Sequence, residues 1–230
     1  MKRSTDVKLS QILSVGSALP IRLHLRNDLH LLRKAWHMMM GLMMAFIYLY
    51  SGISCTGAVL TVATALGIDL MIETARLRVP AFNENVLKIW GPFMRSSEID
   101  RMSGVPYYLS ATLLTIAIFP KPVAALSILY LACGDPIASL FGILYGKRSR
   151  KIADGKSVVG TMAGVGACIL VGFVFLQPLG LPDPTVLSVA ILGGLAGGTA
   201  ELMPFDWDDN FTIPVISGFF LWLLFILFGI

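Results

Sequence analysis

The sequence predicts an all-α fold, a polytopic transmembrane helical bundle of about seven spans with a cytoplasmic N-terminus. Three observations carry that expectation. Of 230 residues, 56% are hydrophobic and 14% charged, against roughly 45–50% and about 25% in a typical soluble domain. Seven stretches approach the ~20 apolar residues that cross a hydrocarbon core of about 30 Å. The basic residues fall almost wholly on one side of those stretches.

Residues 1–34 form a polar, basic segment. Within it the weakly amphipathic stretch 9–26 suits a helix lying on the membrane surface. It has no compact apolar core followed by a small-residue cleavage site, so no cleavable signal is expected. The first span, 35–53, opens with Trp36 and is rich in methionine; the second covers 55–72. The third, 105–119, is short and carries the interfacial pair Tyr107 and Tyr108. The fourth, 122–145, contains Asp135. The fifth is 158–176, the sixth 185–200 and the seventh 211–230.

An odd number of spans sorts the loops. With the N-terminus inside, loops 73–104, 146–157 and 201–210 share its side. The N-terminal segment holds seven cations and loop 73–104 five (Arg76, Arg78, Lys88, Arg95, Arg101). Loop 146–157 holds five more (Lys147, Arg148, Arg150, Lys151, Lys156), which makes 17 of 18 and leaves Lys121 outside. This is the positive-inside asymmetry. Acidic residues do not normally obey it, yet of 14 only Asp183 maps to the outer side. Acids and bases gathered at one face point to a site. The net charge of +4, placed beside apolar spans, reads as a topology signal and an attraction for anionic substrate or lipid, not for nucleic acid. The three cysteines lack any CxxC spacing, so neither a disulfide framework nor a zinc site is expected.

Asp135 stands in an otherwise apolar span, where a carboxylate costs about 2.5–3.5 kcal/mol on insertion scales and needs a polar cavity or a partner. Pro136 removes a backbone donor, so a break there would leave Asp135 capping a new helical segment. Asp135, Ser139, Gly142 and Gly146 share one helical face. Next comes the loop from Gly146 to Gly160. Gly155-Lys156-Ser157 imitates the end of a P-loop, but Arg150 stands where the first glycine belongs and no strand precedes it, so that match fails. Five cations beside backbone donors still suit a polyphosphate. In 201–210, Glu201, Asp206, Asp208, Asp209 and Asn210 offer hard oxygen ligands of the kind Mg²⁺ takes. Upstream, His37 lies one turn beyond Arg33 and Lys34. Asp69, Glu73 and Arg76 share a face at the inner end of the second span and are able to pair. Arg95, Glu98 and Gly104 precede the third span.

These motifs, in this order, resemble the CTP-dependent lipid kinases. That family includes dolichol kinase, phytol kinase and the yeast-type diacylglycerol kinase, and is related to phosphatidate cytidylyltransferases. The likeness runs from about Arg33 to Ser217. It rests on Arg33-Lys34 with His37 and Gly41, on Arg95, Glu98 and Gly104, and on Gly134-Asp135-Pro136 with Ala138-Ser139, Gly142 and Gly146. It continues through Gly155-Lys156-Ser157 and Gly160 to Glu201, Asp208-Asp209-Asn210 and Pro214. The chain lacks the long N-terminal extension of the large dolichol kinases and is closer in size to the other two.

The resemblance implies transfer of the γ-phosphate of CTP to the hydroxyl of a lipid alcohol (a polyprenol such as dolichol, phytol or diacylglycerol), with Mg²⁺. Residues 35–230 would then be a transmembrane catalytic domain in a bacterial inner membrane or a eukaryotic endoplasmic reticulum, its active face cytoplasmic. Asp135, Glu201, Asp208 and Asp209 are the expected metal ligands. Arg33, Lys34, Ser139, Lys147, Lys151, Gly155, Lys156, Ser157 and Asn210 are the expected nucleotide contacts, and Arg95 and Glu98 lie at the substrate. Asp135, Glu201 and His37 are the expected catalytic groups, and either Asp135 or His37 could take the hydroxyl proton. Two alternatives stand beside this reading. A cytidylyltransferase would use the same site on a lipid phosphate, and an ion-coupled transporter would also carry an intramembrane aspartate. Against the transporter, no inverted repeat is visible and the polar residues cluster at one face.

Overall fold

A computed structural model describes residues 31–152, 155–203 and 207–230. The surface helix expected at 9–26 lies outside the described residues. Those residues form eight α-helices: α1 (Leu31–Tyr50), α2 (Cys55–Arg78), α3 (Pro80–Trp90), α4 (Val105–Ile118), α5 (Lys121–Tyr145), α6 (Val158–Leu176), α7 (Asp183–Thr199) and α8 (Asp209–Phe228). Among them there is no strand; Lys151 and Ser157 form an isolated bridge.

Local chemistry explains the starts. Ser54 caps α2 by accepting from the Gly57 amide at 3.0 Å. Helices α3, α4, α5 and α7 each carry a proline in their first two positions, where the missing N–H leaves no hydrogen bond unmade. α8 ends at Gly229, whose φ of +68° supplies the left-handed turn that closes a helix.

All seven expected stretches are helical, with three departures. α2 continues past 72 to Arg78, because Glu73 and Arg76 pair along its face. α3 forms inside what the sequence presents as a loop. Pro136 does not break α5, which runs unbroken from Lys121 to Tyr145, so Asp135 caps nothing. Proline's fixed φ is compatible with a helix, and α5 is held on course by the five helices packed around it.

Five described helical segments are long and apolar enough to cross a membrane: Cys55–Arg78, Lys121–Arg148, Val158–Leu179, Asp183–Leu202 and Asp209–Phe228. The chain is a multi-pass membrane protein. By this measure the expected seven spans stand at five, with α1 and the 14-residue apolar α4 as the other two helices at the expected places.

Helix α5 is the axis of the bundle. It packs most extensively on α6 and also on α1, α8, α7 and α4. In its apolar stretch 72% of residues are buried, against 6% in α2, which packs chiefly on α4 and α3. Leu126, Ile128 and Tyr130 of α5 meet Cys168 and Leu176 of α6, Val186 and Val189 of α7 and Leu221 of α8 in one core. At the end of the bundle near the start of α5, Lys121 sits 5.0 Å above the Tyr48 ring and donates to the Ile53 carbonyl. The cations of the 146–157 loop gather at the other end of α5.

Helices α6 and α7 touch along their backbones. A Cβ on Gly194 would lie 2.6 Å from the Ile169 amide nitrogen and 2.7 Å from its Cα. This contact sets where Glu201, just beyond α7, meets Lys156 and Thr161 of the α6 end. Gly194→Ala is therefore expected to force the pair apart at a cost of about 1–3 kcal/mol. A thermal melt in detergent checks this; an unchanged midpoint would show that the helices yield freely.

Candidate active site

At the end of the bundle where α1 begins and α5 and α7 finish, a cavity of about 410 Å³ opens. Arg33, Lys34 and His37 line it from α1, and Arg95 from the turn before α4. Asp135 and Ser139 face it from α5, while Lys147, Lys151, Gly155, Lys156 and Ser157 close it from the following loop. Glu201, Asp209 and Asn210 complete it. Segments that lie up to 177 positions apart in sequence (33 to 210) thus share one space.

Carboxylate oxygens of Asp135, Glu201 and Asp209 all lie within 4.8 Å of one another. Three negative charges so close repel strongly unless a cation joins them. The chain supplies one. Lys156 Nζ donates to both Asp209 oxygens at 3.0 and 3.1 Å and to the Glu201 carbonyl at 2.7 Å, and lies 3.5 Å from Glu201 Oε2. Thr161 donates its hydroxyl to Glu201 Oε1 at 3.1 Å. Partial burial holds the Lys34 ammonium below the ordinary lysine range, and the Asp135 carboxylate counters part of that shift. His37 packs edge-on to Tyr108 at 5.0 Å between ring centroids, and its Nε2 is buried without a hydrogen-bond partner among the described residues.

Two expected site residues do not line the cavity. Asp208 is occupied as the N-cap of α8, accepting from the Asn210 amide at 2.9 Å, and so is not part of the acidic triad. Glu98 is 7% exposed and stands behind the wall. Its two oxygens lie 3.0 and 2.9 Å from Arg33 Nη1, and one accepts from the Arg95 amide at 2.9 Å. Glu98 holds the cationic residues instead of facing the cavity. Asp206 lies outside the described residues.

No family model matches the chain, and no solved structure matches it. Three curated relatives do, each named CTP-dependent diacylglycerol kinase 1. The Saccharomyces cerevisiae protein is 30% identical over 207 residues, covering 82% of this chain and 71% of the relative. The Schizosaccharomyces pombe protein is 31% identical over 164 residues, 66% of this chain and 74% of the relative. This chain belongs to the CTP-dependent lipid kinase family. The relative from Eremothecium gossypii is 34% identical over 170 residues, 66% of this chain, and the chain spans about half of that protein's length (54%).

For a member of the lipid kinase family the loop after α5 is of most interest, and it departs from expectation in one respect. The Val158 amide donates to the Arg150 carbonyl at 3.1 Å, the Val159 amide to Ser149 Oγ at 3.2 Å and the Gly160 amide to Ser157 Oγ at 3.1 Å. The first amides of α6 are thus spent inside the protein. An anion held here would rest on lysine side chains and not on the first amides of α6. Gly160 lets the loop and α6 close onto α5, since a Cβ there would lie 2.8 Å from the Ala138 carbonyl oxygen. Gly155 takes a φ of +76°, a conformation that favours glycine.

Sequence reasoning missed Thr161, whose hydroxyl bonds Glu201 at the cavity. Its only sequence signal is its place one turn after Ser157 on the same helical face. Gly104 also acquires a reason: a Cβ there would lie 2.6 Å from Asn210 Nδ2 and 3.4 Å from Arg33 Nη2.

Proposed function

We propose that this chain transfers the γ-phosphate of CTP to the hydroxyl of a lipid alcohol, diacylglycerol first among candidates, at the cytoplasmic face of its membrane. One observation carries the reading: three carboxylates converge beside six cations in one cavity at the charged end of the bundle. The relatives' shared name supports both the donor and the alcohol. The cytoplasmic assignment rests on the cation count in the loops.

The acidic triad suits Mg²⁺, because hard oxygen donors lie within reach of one ion and their mutual repulsion favours a dication. Asp135, Glu201 and Asp209 would hold it, where it would neutralise charge on the phosphate chain. Lys147, Lys151 and Lys156 bind the phosphates from one wall, and Arg33 and Lys34 from the other. The substrate oxygen attacks the γ-phosphorus, the bond to the bridging oxygen breaks, and CDP leaves. The unpartnered Nε2 of His37, which lies on the α1 wall of the cavity, takes the hydroxyl proton. Phosphoryl transfer asks mostly for positioning and charge stabilisation, and this set supplies both.

Purified protein in detergent, given CTP, Mg²⁺ and a panel of lipid alcohols, is expected to yield a phosphorylated lipid and one CDP per turnover. Release of pyrophosphate from a lipid phosphate would identify a cytidylyltransferase instead. Solute uptake without nucleotide consumption would identify a transporter.

A further inference from the structure

Behind the cavity wall, at the inner end of α2, lies an ion pair that the mechanism above does not use. Arg76 is 1% exposed and Glu73 4%. Arg76 donates from Nε to Glu73 Oε1 at 2.6 Å and from Nη2 to Oε2 at 2.7 Å. The rest of the guanidinium reaches across to the segment before α4. Nη1 donates to the carbonyls of Glu98 and Ile99 at 3.0 and 3.3 Å, and Nη2 to that of Arg101 at 2.6 Å. Glu73 Oε2 also accepts from the Ser103 amide at 2.8 Å. Asn83 of α3 adds a bond to the Ile99 carbonyl at 3.1 Å.

An ion pair buried this deeply is poor insurance for stability, since an apolar pair of similar volume is often neutral or better. What an apolar pair cannot do is hold three carbonyls and a carboxylate at once, a task that needs the planar five-donor guanidinium. The segment so held carries Arg95 into the cavity, and through the Glu98 side chain it fixes Arg33.

We propose that Glu73 and Arg76 are positioning residues, a buried clamp that sets the Arg33–Arg95 wall against which the nucleotide phosphates dock. Neither residue touches the cavity; both act through Glu98 and its neighbours. The ligand named here rests on the kinase reading, but the clamp itself does not.

The test is the double variant Glu73→Met/Arg76→Met in the full chain, which removes the clamp without leaving a buried charge unpaired. Hydrogen exchange at the amides of 98–103 is expected to quicken, while the melting midpoint stays near that of the wild type. The KM for CTP is expected to rise about tenfold, the loss of one charge-assisted hydrogen bond, with kcat unchanged. Arg76→Lys keeps Glu73 paired but cannot span the carbonyls, and should fall between the two. Wild-type exchange in the double variant would overturn the clamp whatever the enzyme does. A lowered midpoint with an unchanged KM per folded molecule would also overturn it, since the pair would then be merely structural. A wild-type protein that makes no phospholipid from CTP would instead overturn the kinase reading, and the exchange measurement would still decide the clamp.

Discussion

Asp135→Asn is expected to lower phospholipid formation by at least about 10²–10³-fold, the scale on which losing a single preorganised electrostatic contact acts, while the protein folds as before. Asparagine keeps the size and shape of the side chain and removes one charge. Folding has little stake in that charge. Asp135 makes no hydrogen bond or ion pair within the protein among the described residues, and its loss relieves repulsion from Glu201 and Asp209. Catalysis has a large stake, because the triad becomes a pair and the centre for a dication loses a third of its charge. The rate per folded molecule with CTP and diacylglycerol measures the first effect, and a thermal melt the second. Weaker Mn²⁺ binding, read by electron paramagnetic resonance, reports the same loss independently of turnover. A fully active variant would remove Asp135 from the site.

The bundle was legible because lipid imposes a coarse code: apolar runs of sufficient length, cations to one side. What the code omits is polar structure within the charged face. Helix α3 is a short amphipathic stretch of 11 residues with no long apolar run to announce it. Pro136 reads as a breaker when only the backbone donor is counted, and the neighbours that keep α5 whole are distant in sequence. Asp208 and Asp209 are adjacent and chemically identical. Which of them faces the cavity depends on where α8 begins, and the residue at that boundary is consumed as its cap. Glu98 looks like a cavity residue by type and spacing. Its partner Arg33 is 65 positions away, so no local pattern shows that it stands one layer back. Asp69, Glu73 and Arg76 read as three groups able to pair, and of these Glu73 and Arg76 do so; the carbonyls that Arg76 also holds do not show, since backbone acceptors leave no mark in a sequence.

Lys156 has the same dual character, and Lys156→Met is expected to separate its two roles. The ammonium now ties Asp209 to Glu201, and in catalysis it is also a cation for the phosphate chain. Methionine keeps the apolar stem and removes the charge. Without Mg²⁺, three carboxylates within 4.8 Å would then face one another uncompensated, at a cost of about 1–3 kcal/mol for the unpaired charges. The melting midpoint in a chelator should therefore fall. Added Mg²⁺ should raise it by more than in the wild type, because no ammonium competes for Asp209. Turnover should drop by about 10²-fold, the consequence of losing a charge-assisted contact to phosphate in the transition state. Lower activity together with a larger Mg²⁺-induced stabilisation means that one lysine serves both acids and phosphate. Lower activity with an unchanged response to Mg²⁺ would confine Lys156 to the nucleotide, and the acids would then have to be neutralised by the metal alone.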